Sequence, residues 1–194
     1  MFLRLFKPNE TTRILDVGGL PRYWEGTSLT SPMTITNLGP LDAYEESFLG
    51  PNQSFVLSDA TRMQWDDKSF DIVFSNSVIE HLGTADQQMA FVRECQRVGK
   101  SYWIQTPAKE FPIEPHFLAL FTHWLSKPMQ KRLLRHFTIW GLRARPRADV
   151  VDAVLAELRL LTRKEFKKLL PEAQIVTERF FGLPKSYVAY KMSA

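Results

Sequence analysis

Five short apolar runs, each stopped at its carboxyl end by small or polar residues, most constrain what this chain can fold into. Arg13–Val17 (RILDV) ends at Gly-Gly. Met33–Leu38 (MTITNL) alternates, is β-branched and stops at Gly39-Pro40, and Ser54–Leu57 (SFVL) leads into Ser58-Asp59-Ala60. Phe70–Phe74 (FDIVF) follows a turn in DDKS, and Ser101–Gln105 (SYWIQ) stops before Pro107. Runs of this length and composition read as buried strands. Between the last two, Thr84 reads as the N-cap of a helix to Val98. Met89, Ala90, Val92, Cys95 and Val98 fall near helical spacing, and Gly99 ends it. Strands alternating with helices or long loops predict an α/β chain with a mostly parallel sheet covered on both faces. Ligands of such sheets sit outside the carboxyl ends of the strands. The polar residues there are therefore the candidates: Asp16–Gly19, Asn37, Asp59, Ser75–Ser77 and Thr106.

The end of the chain is equally patterned. In LTRKEFKKLLPEA, Thr162 and Glu165 have the spacing of a capping box, and Pro171 stops the helix. QIVTERFFGLPKSYVAYKM then reads as two strands joined through Gly182–Pro184, an antiparallel hairpin on the parallel sheet. Between Pro107 and Leu161 the pattern changes, and prolines 107, 112, 115, 128 and 146 punctuate it. Phe117–Leu125 and Met129–Leu142 are expected as short helices. The expectation is one domain over residues 1–194 with a helical, basic and aromatic insertion at about 107–160. Its size suits a single core.

Composition excludes several classes. The single cysteine, Cys95, allows no disulfide framework within the chain. No apolar run is long enough to span a bilayer. The segment MFLRLFKPNETTR is too short and interrupted for a signal peptide, so Phe2, Leu3, Leu5 and Phe6 are expected to pack on the domain, or else to touch a membrane or another chain. A cytoplasmic location, peripheral to the membrane at most, is the expectation. The net charge is only +4, but residues 116–148 hold seven Lys/Arg and no Asp or Glu. Cations mixed with bulky apolars suit a phosphate-bearing acceptor or an anionic membrane surface, so peripheral contact is expected through 117–147. A packed subdomain with a solvated basic face is the plainer alternative. The patch is short and most of its aromatics fit helix-core spacing, which argues against nucleic acid.

Three stretches in order, RILDVGG, the SDA after the third strand, and DDKSFDIVFSNSVIEHL, resemble the class I S-adenosylmethionine-dependent methyltransferases, the small-molecule branch often called type 11. The last helix and terminal hairpin also resemble that group. The resemblance spans about 13–106 and 161–192 and implies a Rossmann-like sheet. It implies S-adenosyl-L-methionine as cofactor, with no metal. Asp16 would hold the cofactor's amino group, and Gly18 and Gly19 would let the backbone approach its methionine portion. Asp59, with the Ala60 N–H, would take the adenine, and Asn37 the ribose. Ser75, Asn76 and Ser77 would line the sulfonium side. Without the resemblance, Asp16 is a turn former and Asp59 a cap.

Two departures stand out. The family continues Asp-X-Gly-X-Gly-X-Gly, whereas Leu20 and Arg22 stand here at the second and third glycines. LPRYW is a loop stiffened by proline, in which Trp24 reads as core and Tyr23 either as core or as a cover over the cofactor. The family also ends its second strand in Asp or Glu, and Asn37 carries no charge; Asp42 is a neighbouring substitute.

Methyl transfer to a hydroxyl benefits from a base, and His81 and His116 are the candidates. Each has an alternative as a structural histidine, and Glu80 reads as an orienting group. The expected function is methyl transfer to a hydroxyl of a small-molecule, sugar or lipid-linked acceptor. The alternative is a non-catalytic methyltransferase-like domain acting as a partner subunit. The helices that usually precede the first strand in this family are missing here, so the acceptor pocket is expected from the insertion or another chain, with self-association as a further expectation.

Overall fold

A computed structural model describes residues 1–114 and 119–193. A seven-stranded sheet organises it. β1 (Ile14–Val17), β2 (Met33–Asn37), β3 (Gln53–Leu57), β4 (Phe70–Asn76) and β5 (Gly99–Pro107) run parallel, and β8 (Gln174–Phe180) and β9 (Leu183–Lys191) close one edge as an antiparallel hairpin. The order is β3-β2-β1-β4-β5-β9-β8. The order reverses at β1, so the carboxyl ends of β1 and β4 flank the switch point where a crevice forms.

Alternation along the strands divides the core. Leu15 and Val17 of β1, with Val73 and Ile104, face one side and pack against α3 (Ala85–Val98) and α7 (Arg163–Leu169) through Phe91, Cys95 and Phe166. Phe91 and Phe166 are fully buried, and each contributes roughly 2–3 kcal/mol by area. Ile14, Ile35, Phe74 and Trp103 face the other side. That face is thinly covered, by the one-and-a-half turns of α1 (Phe2–Phe6) and the 3-10 turn Pro21–Trp24. Phe2 sits 4.9 Å from Phe74 and 5.8 Å from Trp103, ring centre to ring centre. Phe2 is buried and Leu5 and Phe6 lean on the same cluster, while Leu3 stays exposed.

Local signals act as the sequence implied. Thr84 accepts from the Gln87 amide and starts α3. Thr162 and Glu165 form the reciprocal capping box of α7. The insertion departs from expectation. Ala119–Leu120 (β7) pairs with Ile113–Glu114 (β6), and Thr122–Trp124 is a 3-10 turn, where one helix over 117–125 was expected. The helix expected over 129–142 is broken at Thr138 into α4 (Lys127–Phe137) and α5 (Ile139–Ala144). The Thr138 side chain explains the break: its hydroxyl donates to the Leu134 carbonyl and accepts from the Gly141 amide, ending one helix and capping the next. With α6 (Ala148–Glu157) these helices share a small core of their own around Leu134, Val151 and Leu155.

Candidate active site

A cavity of about 330 Å³ opens at the carboxyl ends of β1, β2 and β3. Gly18, Asn37, Asp59, Ala60 and His81 all line it, together with Thr36, Ser58 and Ser77. Residues far apart in sequence meet there because the parallel register places Val17 beside Thr36 and Asn37 beside Leu57. A second cavity of about 580 Å³ lies beyond β4 and β5, lined among others by Tyr23, Asn76, Gln105, Glu178 and Lys185. The Asn76 amide donates to the Tyr23 hydroxyl over 2.7 Å, at the wall of this second cavity. Ser77 Oγ donates to Gln105 Oε1 over 3.0 Å and so joins the two cavities' linings.

The glycine loop is built around Asp16. Gly18 has φ +74°, and a Cβ there would come within 2.5 Å of Val78. A Cβ on Gly19 would fall 2.0 Å from Asp16 Oδ2. Both glycines are therefore required, one by backbone conformation and packing, the other by the carboxylate beneath it. Asp16 is almost wholly buried and off both cavity walls. Its Oδ2 accepts from Trp24 Nε1 over 2.7 Å, and its Oδ1 has no partner. Burial pushes the carboxyl up to about 7, against the lowering influence of the indole hydrogen bond.

The departures in the loop are accommodated without strain. Leu20 has φ −127°, extended backbone that any residue adopts, so the glycine of the family pattern is not needed there. Pro21 begins the 3-10 turn and is buried, Trp24 is core, and Tyr23 is exposed. Arg22 pairs with Glu45 at 3.2 Å and lies 5.7 Å over the Tyr44 ring.

The remaining candidates occupy distinct positions. Asn37 Oδ1 accepts from the Leu38 amide, and Asp59 Oδ1 accepts from the Thr61 amide and hydroxyl. Asp42 caps α2 (Ala43–Glu46) through the Glu45 amide. Ser75 is fully buried and donates to the Val17 carbonyl, tying β4 to β1 beneath the crevice. Glu80 is fully buried and accepts from Thr106 Oγ1 at 3.0 Å, the orienting position read from the sequence. His81 is exposed on the first cavity's wall. His116 lies outside the described residues.

Thr36, Ser58 and Gln105 escaped the sequence reading as individual site residues, whereas Ser77 was among its candidates. Thr36 Oγ1 and Ser58 Oγ are buried without hydrogen-bond partners. Ser77 holds φ +58°, a left-handed conformation that costs roughly 1–3 kcal/mol in a non-glycine residue and recurs at functional sites. Ser58 follows β3 directly, and Thr36 and Gln105 stand near the carboxyl ends of β2 and β5, which was the available signal. Among the described residues no cluster of His, Cys, Asp or Glu suited to a metal is found.

Residues 38–102 match the methyltransferase domain family, a third of the chain. Two curated relatives, both uncharacterized proteins of Mycobacterium tuberculosis strains, are 29% identical over 114 residues, 59% of this chain. The chain spans 37% of the length of these relatives. Among solved structures, a SAM-dependent methyltransferase from Aquifex aeolicus is matched over 100% of this chain and 88% of its own, at TM-score 0.56 and 13% identity. A Methanosarcina mazei SAM-dependent methyltransferase is matched over 100% and 98%, at TM-score 0.55 and 13% identity. The Haemonchus contortus phosphoethanolamine N-methyltransferase 2, in complex with S-adenosyl-L-methionine, is matched over 90% of this chain and 37% of its own, at TM-score 0.57 and 14% identity. The family match takes in two of the three stretches read from the sequence, SDA and DDKSFDIVFSNSVIEHL, and the fold is shared with these SAM-dependent methyltransferase structures.

Proposed function

We propose that this chain, with the class I S-adenosylmethionine-dependent methyltransferase fold, binds that cofactor in the cavity at β1–β3 and transfers its methyl group to an acceptor hydroxyl. One observation carries the reading. Two buried oxygens without partners, Thr36 Oγ1 and Ser58 Oγ, belong to residues that line the cavity, beside Gly18, whose bare backbone stands at its edge. Unsatisfied buried polar atoms are costly, and a polar ligand offsets that cost. The residues present therefore fit the group.

Asp59 and the Ala60 amide would hold the base, Asn37 the ribose, and Gly18, Gly19 and Asp16 the amino-acid portion. When bound, the cofactor supplies an activated methyl on a positively charged sulfur. The protein's part is alignment and exclusion of water. His81, on the same cavity wall, would take the acceptor's proton, and His116 is the second candidate from the sequence. The Thr106 hydroxyl donates to the Glu80 carboxylate, and both are buried. The larger cavity beyond β4 and β5, joined to the first through Ser77 and Gln105, would seat the body of a small-molecule, sugar or lipid-linked acceptor, with its hydroxyl turned toward His81.

A binding-only domain is the second reading, favoured by one observation: Asp16 is engaged with Trp24 and absent from the cavity wall. Incubation with methyl-labelled S-adenosylmethionine and fractionated cell lipids and soluble glycans separates the two. Transfer reading: label appears as a methyl ether and is lost in Asp59→Ala. No label in any fraction, from protein that binds S-adenosylhomocysteine, favours the binding-only reading.

A further inference from the structure

Two loop tips distant in sequence converge beyond the carboxyl end of β5, and both present aromatic rings to solvent. At the β8–β9 turn, Phe181 is 91% exposed with φ +47°, followed by Gly182 at φ +79°. Phe180 stands edge-on to it at 4.7 Å and reaches Phe111 at 6.4 Å. In the insertion, Phe121 has φ +60° and packs 5.1 Å from Trp124, both about half exposed. The Phe121 amide donates to the Pro112 carbonyl, next to Phe111, which joins the two tips. The Ala108 amide donates to the Lys185 carbonyl, and Pro107 lies opposite Ser186 in the sheet, which fixes this rim beside the larger cavity.

The arrangement is doubly unfavourable in water. A bulky L-residue in the left-handed region costs roughly 1–2 kcal/mol. Such strain is ordinarily offset by burial, and here the strained rings point outward. Trp124 adds a polarity signature: its Nε1 donates to the Lys109 carbonyl at 2.7 Å, so the indole's polar atom is satisfied by the protein while half of the residue stays exposed. Aromatics of this kind gather at membrane–water boundaries. Beside the rim's own Glu110 and Glu178, cations of the sign that anionic lipid requires lie on the same hairpin and on the helices that follow the second tip. Lys185 is exposed nearby, and α4 and α5, which follow from Trp124, carry Arg132, Arg135 and Arg143 exposed.

We infer that this aromatic rim inserts into the interfacial layer of an anionic lipid bilayer and sets the mouth of the larger cavity against the membrane. Residues outside the basic segment, at the terminal hairpin, complete the surface. The inference extends the lipid-linked branch of the proposed function and rests on that reading only for the cavity's role; the docking itself is measured without it.

The test is vesicle co-sedimentation of wild-type protein and of Phe121→Asn/Phe181→Asn, since Asn tolerates left-handed backbone and keeps the turns. Phosphatidylcholine vesicles are compared with vesicles containing about 30% phosphatidylglycerol, at low and high salt, because the attraction to anionic lipid is screened by salt. Wild type is expected to partition to the anionic vesicles, less at high salt, and the double variant to fall at least about tenfold, the equivalent of 1.4 kcal/mol. S-adenosylhomocysteine affinity, measured in parallel, is expected to be the same for both, so loss of cofactor binding and loss of docking are separate results. Failure of wild type to bind anionic vesicles at low salt overturns the inference. So does equal binding by the double variant. A wild-type dimer in sedimentation equilibrium that the double variant abolishes assigns the rim to a second copy and also overturns it.

Discussion

The indole nitrogen of Trp24 donates to Oδ2 of Asp16 over 2.7 Å, and this bond holds the carboxylate beneath Gly19. A carboxyl pushed up to about 7 makes stability depend on pH. Below about pH 4 both states hold the proton and nothing is lost. Between about 4 and 7 the folded state alone holds it, so stability falls as pH rises. Above about 7 the penalty is full and level, at most about 4 kcal/mol for a shift of some three units at 1.36 kcal/mol each. Asp16→Asn removes the charge and keeps an acceptor for Trp24. It is expected to be more stable than wild type at pH 8, by about 2–4 kcal/mol, and little different at pH 4. Urea unfolding at the two pH values measures this. Equal stability differences at both pH values would contradict the buried-charge account.

Removing the donor acts in the opposite sense. Trp24→Phe keeps the ring against Phe2 and Phe74 but leaves both Asp16 oxygens without partners. A loss of about 1–3 kcal/mol is expected, larger at pH 8 than at pH 4. A loss that does not change with pH would assign Trp24 to packing alone.

Gly19→Ala places a methyl on the Asp16 carboxylate. It is expected to destabilise by about 1–3 kcal/mol, and the cost to shrink in an Asp16→Ala background, where the methyl finds space. Additivity of the two substitutions would mean that Gly19 is constrained by something other than Asp16.

His81→Ala separates chemistry from binding. Turnover is expected to fall by about 10²–10⁴, the usual contribution of a general base. S-adenosylhomocysteine affinity is expected to change far less. Unchanged turnover would remove His81 from the mechanism.

The strands and the two helices α3 and α7 were legible because apolar runs, caps and turn residues agreed: Thr84, Gly99 and the Thr162–Glu165 box each act locally, and local chemistry is written in local sequence. The positions of Gly18, Asn37, Asp59, Ala60 and His81 on the cavity wall were legible for the same reason, as each ends or follows a strand. What Asp16 touches was not. The carboxylate's partner, Trp24, comes from a 3-10 turn that replaces a helix, and no spacing rule reports such a pairing. The broken helix at Thr138 escaped because a hydroxyl that ends one helix and caps the next looks like any polar residue within a periodic run. The aromatic rim escaped because Phe111, Phe121 and Phe181 meet only through the fold.

The central claim is that the cavity lined by Asp59, Asn37 and Gly18 is a cofactor site. Calorimetric titration of the purified protein with S-adenosylhomocysteine, beside Asp59→Ala, tests it most directly. The account predicts saturable one-to-one binding by wild type and at least about tenfold weaker binding, 1.4 kcal/mol or more, by the variant. Absence of binding at millimolar ligand, or equal binding by the two proteins, would contradict it.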